Sequence, residues 1–235
     1  MPNYNVSRMG MFTPLGGVIP FDWSALTNYF TLDNVTTDSK GSDNGTLVNG
    51  ATYGTGLINN GVFLDGVNDY FTTPYDSKGL TKLSISFWFK STTNGVIQFM
   101  YRERTSSSIN FFRLQIYKSA SNIITVDFRP TATGSSASLA GSAITDTDFH
   151  HILVTLDTVG DVYKLYVDGV LEDTDNTSLP TIENVTSFSQ TRFGINHDGA
   201  QPFDGTLDEL GIFNDALTLE QAVKLFNSGN GIQYP

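Results

Sequence analysis

Residues 61–90 read GVFLDGVNDYFTTPYDSKGLTKLSISFWFK, and this stretch decides the fold class. In its second half Ile85, Phe87 and Phe89 alternate with Ser84, Ser86 and Trp88, the period of a strand that lays one apolar face on a core. In its first half Val62–Leu64 and Tyr70–Thr72 are β-branched and aromatic runs on either side of Asp65-Gly66-Val67-Asn68-Asp69, which has the composition of a tight turn. The pattern predicts a hairpin there, followed by a long sandwich strand.

Working outward, the same alternation recurs. Ile97, Phe99 and Tyr101 oppose Gln98, Met100 and Arg102. Phe112, Leu114 and Ile116 oppose Arg113, Gln115 and Tyr117, and Ile124, Val126 and Phe128 oppose Thr125, Asp127 and Arg129. Each predicts a strand with one core face and one polar face. The polar, glycine-containing stretches 106–108 and 131–142 read as loops between them. Ile152, Val154 and Leu156 pair with Tyr163, Leu165 and Val167 in a predicted hairpin. Asp168-Gly169 then supplies the positive-φ dipeptide of a tight turn before Val170. Only near the end does the period change: Thr218-Leu219-Glu220-Gln221 is a capping box that opens one short helix, Leu219 to Asn227. Strand follows strand until that helix, so the expected fold is an all-β sandwich with one short C-terminal helix.

The chain has 235 residues and no cysteine, long enough to bury a core without disulfide staples. Its net charge is −11 with only 13 Lys plus Arg, which leaves little for a nucleic-acid surface. No run approaches the roughly 20 apolar residues of a membrane helix. Residues 1–24 lack a period and carry Pro14, Gly16, Gly17 and Pro20, which break any signal-peptide core; they read as an extended arm, with one domain over 25–235.

The motifs in order are LDN (Leu32–Asn34), the segment Asp38–Pro74, LSISFWFK (Leu83–Lys90), FHHILVTLD (Phe149–Asp157), KLYVDGVL (Lys164–Leu171) and GTLDELGIFNDALTLEQAVKLF (Gly205–Phe226). In this order they resemble the laminin-G-like branch of the concanavalin A-like lectin and glucanase jelly rolls, over roughly Tyr29 to Phe226. Phe149 stands where that family usually has Trp, and Gly211 where a longer polar residue is common. The resemblance implies two antiparallel sheets, with sugar or protein ligands held in a trough or on its rim. It also implies a structural Ca2+ on Asp33, the Gly61 carbonyl and Asp208, with Asp38 and Asn44 of the acidic loop in reserve.

The glycosidases of the wider superfamily need paired carboxylates on one strand face, and neither Glu172-Asp173-Thr174-Asp175 nor Asp208-Glu209 has that phase. The three histidines, His150, His151 and His197, have no motif for nucleophilic or zinc chemistry beside them. The expectation is therefore no enzyme. Candidate ligand-binding residues are those of the polar phase, Trp88, Gln98, Arg102, Arg113, Gln115, Tyr117, Asp127 and Arg129, which would tile one sheet face, and the rim loop Asn196, His197 and Asp198. The expected function is adhesion or binding to a glycan or glycosylated surface. The alternative is a structural virion protein, a phage capsid decoration or tail component docked through its N-terminal arm. Either reading puts the chain on a virion surface or outside the cell.

Overall fold

The computed structural model describes residues 20–104, 113–131, 135–182 and 190–235. The expected arm (apart from residues 20–24), the loop 106–108, Phe112 and residues 132–134 lie outside the described residues, and of the expected loop 131–142 residues 137–142 are strand instead.

The strands are β1 (Leu26–Phe30), β2 (Thr46–Val48), β3 (Thr52–Thr55), β4 (Asn60–Asp65), β5 (Tyr70–Thr73), β6 (Lys82–Ser91), β7 (Gln98–Arg104), β8 (Leu114–Lys118), β9 (Ile123–Phe128), β10 (Ala137–Ala143), β11 (His150–Asp157), β12 (Val162–Val167), β13 (Val170–Asp175), β14 (Gln190–Phe193) and β15 (Asp204–Phe213). One helix follows, α1 (Leu219–Phe226). The first sheet runs β13-β12-β11-β6-β15-β4-β3, with β1 also on β15; the second runs β10-β9-β8-β7-β14-β5-β2. Every pairing described is antiparallel. The two inner faces enclose a continuous core that includes Phe30, Phe71, Phe87, Phe89, Ile116, Val126, Phe128 and Phe193. This is the expected jelly-roll sandwich.

The opening hairpin is not formed. β4 pairs with β3 and β15 in one sheet, whereas β5 pairs with β2 and β14 in the other. Residues 65–69 therefore cross the sandwich rather than reverse within a sheet. Asp69, buried inside the corner, holds it by accepting from the Gly50 and Asp65 backbone N–H groups at 2.8 and 3.3 Å. Turn composition alone does not distinguish the two outcomes. The Asp168-Gly169 turn does form, with φ of 50° and 74°. The capping box closes too, Thr218 Oγ1 accepting from Gln221 N and Gln221 Oε1 accepting from Thr218 N, and Asn227 ends α1 in the left-handed region.

α1 lies on the outer face of the first sheet and makes a second, smaller core. Tyr29, Leu153, Tyr166, Phe213, Leu217, Ala222 and Leu225 form it, and Phe21 and Trp23 from the described end of the arm pack against it. β10 and β13 are the edge strands of different sheets, yet they are joined. The carboxylates of Asp175, Asp173 and Glu172 accept the Ser138, Ala140 and Ser142 backbone N–H groups at 3.2, 2.9 and 2.9 Å. These acids satisfy the outward N–H groups of an edge that would otherwise invite another strand.

Candidate ligand-binding face

The outer face of the second sheet carries the candidate site. Along β8 and β9, Leu114, Ile116, Ile124, Val126 and Phe128 point inward, which leaves Gln115, Tyr117, Thr125 and Asp127 outward, as the alternation predicts. Gln115 donates from Nε2 to Asp127 Oδ2 at 2.7 Å, and Asp127 Oδ1 accepts from Ser138 Oγ at 2.8 Å. Arg129 follows β9 in the same outward phase and is half-buried.

β7 departs from the predicted phase. Its register against β8 shifts between Phe99 and Tyr101, a bulge that turns Met100 and Tyr101 both inward. Phe99, expected in the core, is thereby left out of the central cluster and lies beside Tyr117, still only 6% exposed, with ring centroids 5.2 Å apart at 37°. Arg102 keeps its outward phase, is likewise 6% exposed, and lays its guanidinium 5.1 Å from the Phe99 ring centroid. Gln98 goes the other way. It is buried at the end of the sandwich, where its Oε1 accepts from Ser91 Oγ at 2.9 Å.

β14 continues the face. Arg192 is the cross-strand partner of both Arg102 and Thr72, and Gln190 is opposite Arg104. The Arg192 guanidinium sits 4.7 Å from the Tyr70 ring. The rim loop expected from sequence meets the face here. Asn196 Oδ1 accepts from His197 N at 2.7 Å, Asn196 Nδ2 donates to Gln201 Oε1 at 3.0 Å, and the Gln201 carbonyl takes the Phe99 N–H at 3.1 Å. His197 Nε2 donates to the Gln190 carbonyl at 2.8 Å. Burial, and then the charges of Arg192, Arg102 and Arg104, hold the His197 pKa down to about 4. Asp198 lies exposed at the tip, where its field favours the charged form of Arg102.

Besides Gln98, two sequence-predicted members do not belong to this face. Trp88 is on the outer face of the first sheet, covered by α1 and 2% exposed, with its ring stacked on Phe226 at 5.7 Å and near His151 at 5.2 Å. Arg113 precedes β8 and is 1% exposed. Its Nη1 donates to Glu103 Oε1 and Asp76 Oδ1, each at 2.7 Å, and Glu103 also accepts from Ser77 N, Ser77 Oγ and Tyr101 Oη. It is a buried structural cation. Conversely, Tyr70, Arg104, Gln190 and Arg192 join the face without a sequence expectation, and Phe99 joins it against one. The alternation of Tyr70-Phe71-Thr72 and Gln190-Thr191-Arg192-Phe193 around their inward phenylalanines carries the signal for three of the five, whereas nothing local marks the bulge that turns Phe99.

The expected calcium ligands do converge. Gly61 lies against β15, where an added Cβ would stand 2.7 Å from the Leu207 carbonyl and 3.4 Å from Asp208 Cβ. Asp208 Oδ2, however, accepts from Leu57 N and Ile58 N at 2.8 and 3.0 Å, and Asp33 accepts from Asn60 N, Asn59 Nδ2 and Gln233 Nε2. Glu209 joins them, accepting from Tyr29 Oη and Gln233 Nε2. Donors already occupy these oxygens, and among the described residues no group of three or more His, Cys, Asp or Glu is disposed to hold a metal. As built, the set does not fit the open cage of six to eight oxygens that calcium takes. Burial and mutual repulsion instead push Asp208 and Glu209 up to about 7 and 8. Asp38 is likewise spent, on the backbone N–H groups of Tyr29, Lys40, Gly41 and Asp43, and Asn44 Oδ1 accepts from Asp38 N.

Two twisted antiparallel sheets with an aromatic and polar outer face define a lectin-type sandwich. The chain belongs to the concanavalin A-like lectin/glucanase superfamily: the laminin G-type family model matches residues 65–222. Solved structures with the same fold include domain 4 of an extracellular GH43 arabinanase from Geobacillus stearothermophilus in complex with arabinotriose, at 21% identity and a TM-score of 0.63, covering 84% of this chain and 96% of that one. A Ruminococcus gnavus IT-sialidase CBM40 aligns at 19% identity and a TM-score of 0.57, over 69% and 94% of the two chains. A type C botulinum neurotoxin structure, of a toxin that interacts with two ganglioside molecules, aligns at 17% identity and a TM-score of 0.67, over 86% of this chain and 50% of that one. This chain thus spans half of the toxin structure. Comparison with curated protein sequences gave no match.

Proposed function

We propose that the chain is a non-catalytic glycan-binding domain acting outside the cell, with its ligand on the outer face of the second sheet. The observation that carries this reading is the Phe99–Tyr117 pair with Arg102 laid on it, next to the Gln115–Asp127 hydrogen bond. An aromatic platform takes the apolar face of a pyranose while adjacent amide, carboxylate and guanidinium groups take its hydroxyls. The fold is shared with an arabinotriose-bound domain and with a ganglioside-interacting toxin, which supports the reading without fixing the sugar. Asp127 is committed to Gln115 and Ser138, which argues for recognition by this face rather than hydrolysis. The virion alternative depends on an arm whose residues 1–19 lie outside the described residues, and no observation favours it.

The test is a glycan array probed with the wild type and with Tyr117→Ala. Tyr117 is half-buried at the surface of the sheet, so the variant should retain its fold by circular dichroism. Losing a central aromatic contact should weaken binding by about 2 kcal/mol, roughly 30-fold. Undiminished binding by a folded Tyr117→Ala would remove the ligand from this face.

A further inference from the structure

We infer that the glycan is acidic, and that its carboxylate is held by Arg192 and Arg102 beside His197; this rests on the glycan-binding reading above. The argument begins with register. Arg192 and Arg102 are direct cross-strand partners on β14 and β7, both on the outer face, and like charges placed opposite each other destabilise a sheet. Both guanidiniums are nevertheless fixed in place, Arg102 over Phe99 and Arg192 over Tyr70, which costs rotamer freedom as well as repulsion.

Arg192 is also under-used. Among the described residues its one hydrogen bond is a long one, Nη1 to the His197 carbonyl at 3.4 Å, and its Nε is buried with no partner. A guanidinium carries five N–H donors, and a half-buried one with so few acceptors is costly unless an anion completes it. The neighbouring imidazole leaves the anion to the arginines. With its Nε2 proton given to the Gln190 carbonyl, His197 keeps its Nδ1 buried and adds no third positive charge. Asp198, exposed at the loop tip, is near enough to Arg102 to favour its charged form, and its Oδ1 takes the Ala200 N–H at 3.0 Å.

The matching ligand is a planar, singly charged group on a polyhydroxylated ring. A carboxylate meets a guanidinium edge in two parallel hydrogen bonds, and the sugar's apolar face can continue onto the Phe99–Tyr117 platform. Both uronic acids and sialic acids carry that group, so the experiment separates them.

The full chain is titrated with matched pairs that differ in the carboxylate: a galacturonate trisaccharide against its galactose counterpart, and sialyllactose against lactose. At least one acidic member should bind about tenfold or more tightly than its neutral partner, with affinity falling as salt is raised. The member that does so identifies uronate or sialate as the source. Arg192→Gln should abolish the preference for the acidic member while melting at or above the wild-type temperature, because a like-charge pair has been removed; a merely structural arginine would lower it. If neutral and acidic members bind alike, or if affinity is indifferent to salt, the inference is overturned while the glycan reading stands. If neither member of either pair binds and an array of neutral glycans is also blank, both fall. The salt titration uses wild-type protein only, so the inference can be refuted even if Arg192→Gln fails to fold.

Discussion

Arg113 separates structure from recognition more sharply than any other residue. Replacing it by methionine keeps most of the side-chain volume but removes two charged hydrogen bonds of 2.7 Å, leaving Glu103, which is 0% exposed, with only Ser77 and Tyr101 as described donors. Charged hydrogen bonds contribute about 1.5–3 kcal/mol each, and breaking one side of a buried ion pair costs about 3–5 kcal/mol, because the remaining charge keeps its desolvation penalty. For a chain of this size that corresponds to a fall of about 6–20 °C in melting temperature, at about 2–4 °C per kcal/mol. Calorimetry on Arg113→Met, Glu103→Gln and the double variant measures it. The double variant should recover a large part of the loss, since the uncompensated charge is gone and the glutamine still accepts from Ser77. Glycan binding by any folded member of the set should match the wild type. A single variant that melts normally but loses binding would return Arg113 to the recognition face and refute the burial argument.

Three further outcomes are expected. The pKa values of Asp208 and Glu209 are raised, so the folded state binds more protons than the unfolded one between about pH 4 and 8, and their stabilising contribution is lost as pH rises through that window. His150, held at about 9 by Asp168 and Asp146, adds a contribution that is full below pH 6.5 and lost as pH rises through about 9. The melting temperature should therefore decline from pH 6 to pH 9 and should not respond to calcium or EDTA; a calcium-dependent rise at pH 8 would install the cation at Asp33, Gly61 and Asp208. Trp88→Ala should cost about 3–5 kcal/mol through the cavity left under α1, and Phe226→Ala should be non-additive with it, as a double-mutant cycle would show. Replacing Glu172 and Asp173 together by alanine should unmask the N–H groups of Ala140 and Ser142 and produce concentration-dependent self-association in sedimentation velocity; a strictly monomeric variant would show that these carboxylates do not protect the edge.

The sequence alone specifies the inward residues of β6, β8, β9, β11 and β12, the Asp168-Gly169 turn and the capped terminal helix. All of these depend on interactions within a few residues, where a period of two, a positive-φ dipeptide or a Thr-x-x-Gln box has one physical meaning. It also placed Arg102, Gln115, Tyr117 and Asp127 on one outward phase and Asn196, His197 and Asp198 on a rim. Tertiary structure decided the rest. One extra residue at Met100-Tyr101 reverses the facing of Phe99 and Gln98, because a strand's parity counts from its partner's hydrogen bonds and not from its own sequence. Residues 65–69 cross between sheets because partners 118 or more positions away claim β4 and β5 separately. Trp88 has the same alternating neighbours as a surface residue, and only the arrival of Phe226 from the far end of the chain makes it buried. Arg192 meets Arg102 for the same reason: the contact that defines the candidate site is made across strands, where no local pattern records it.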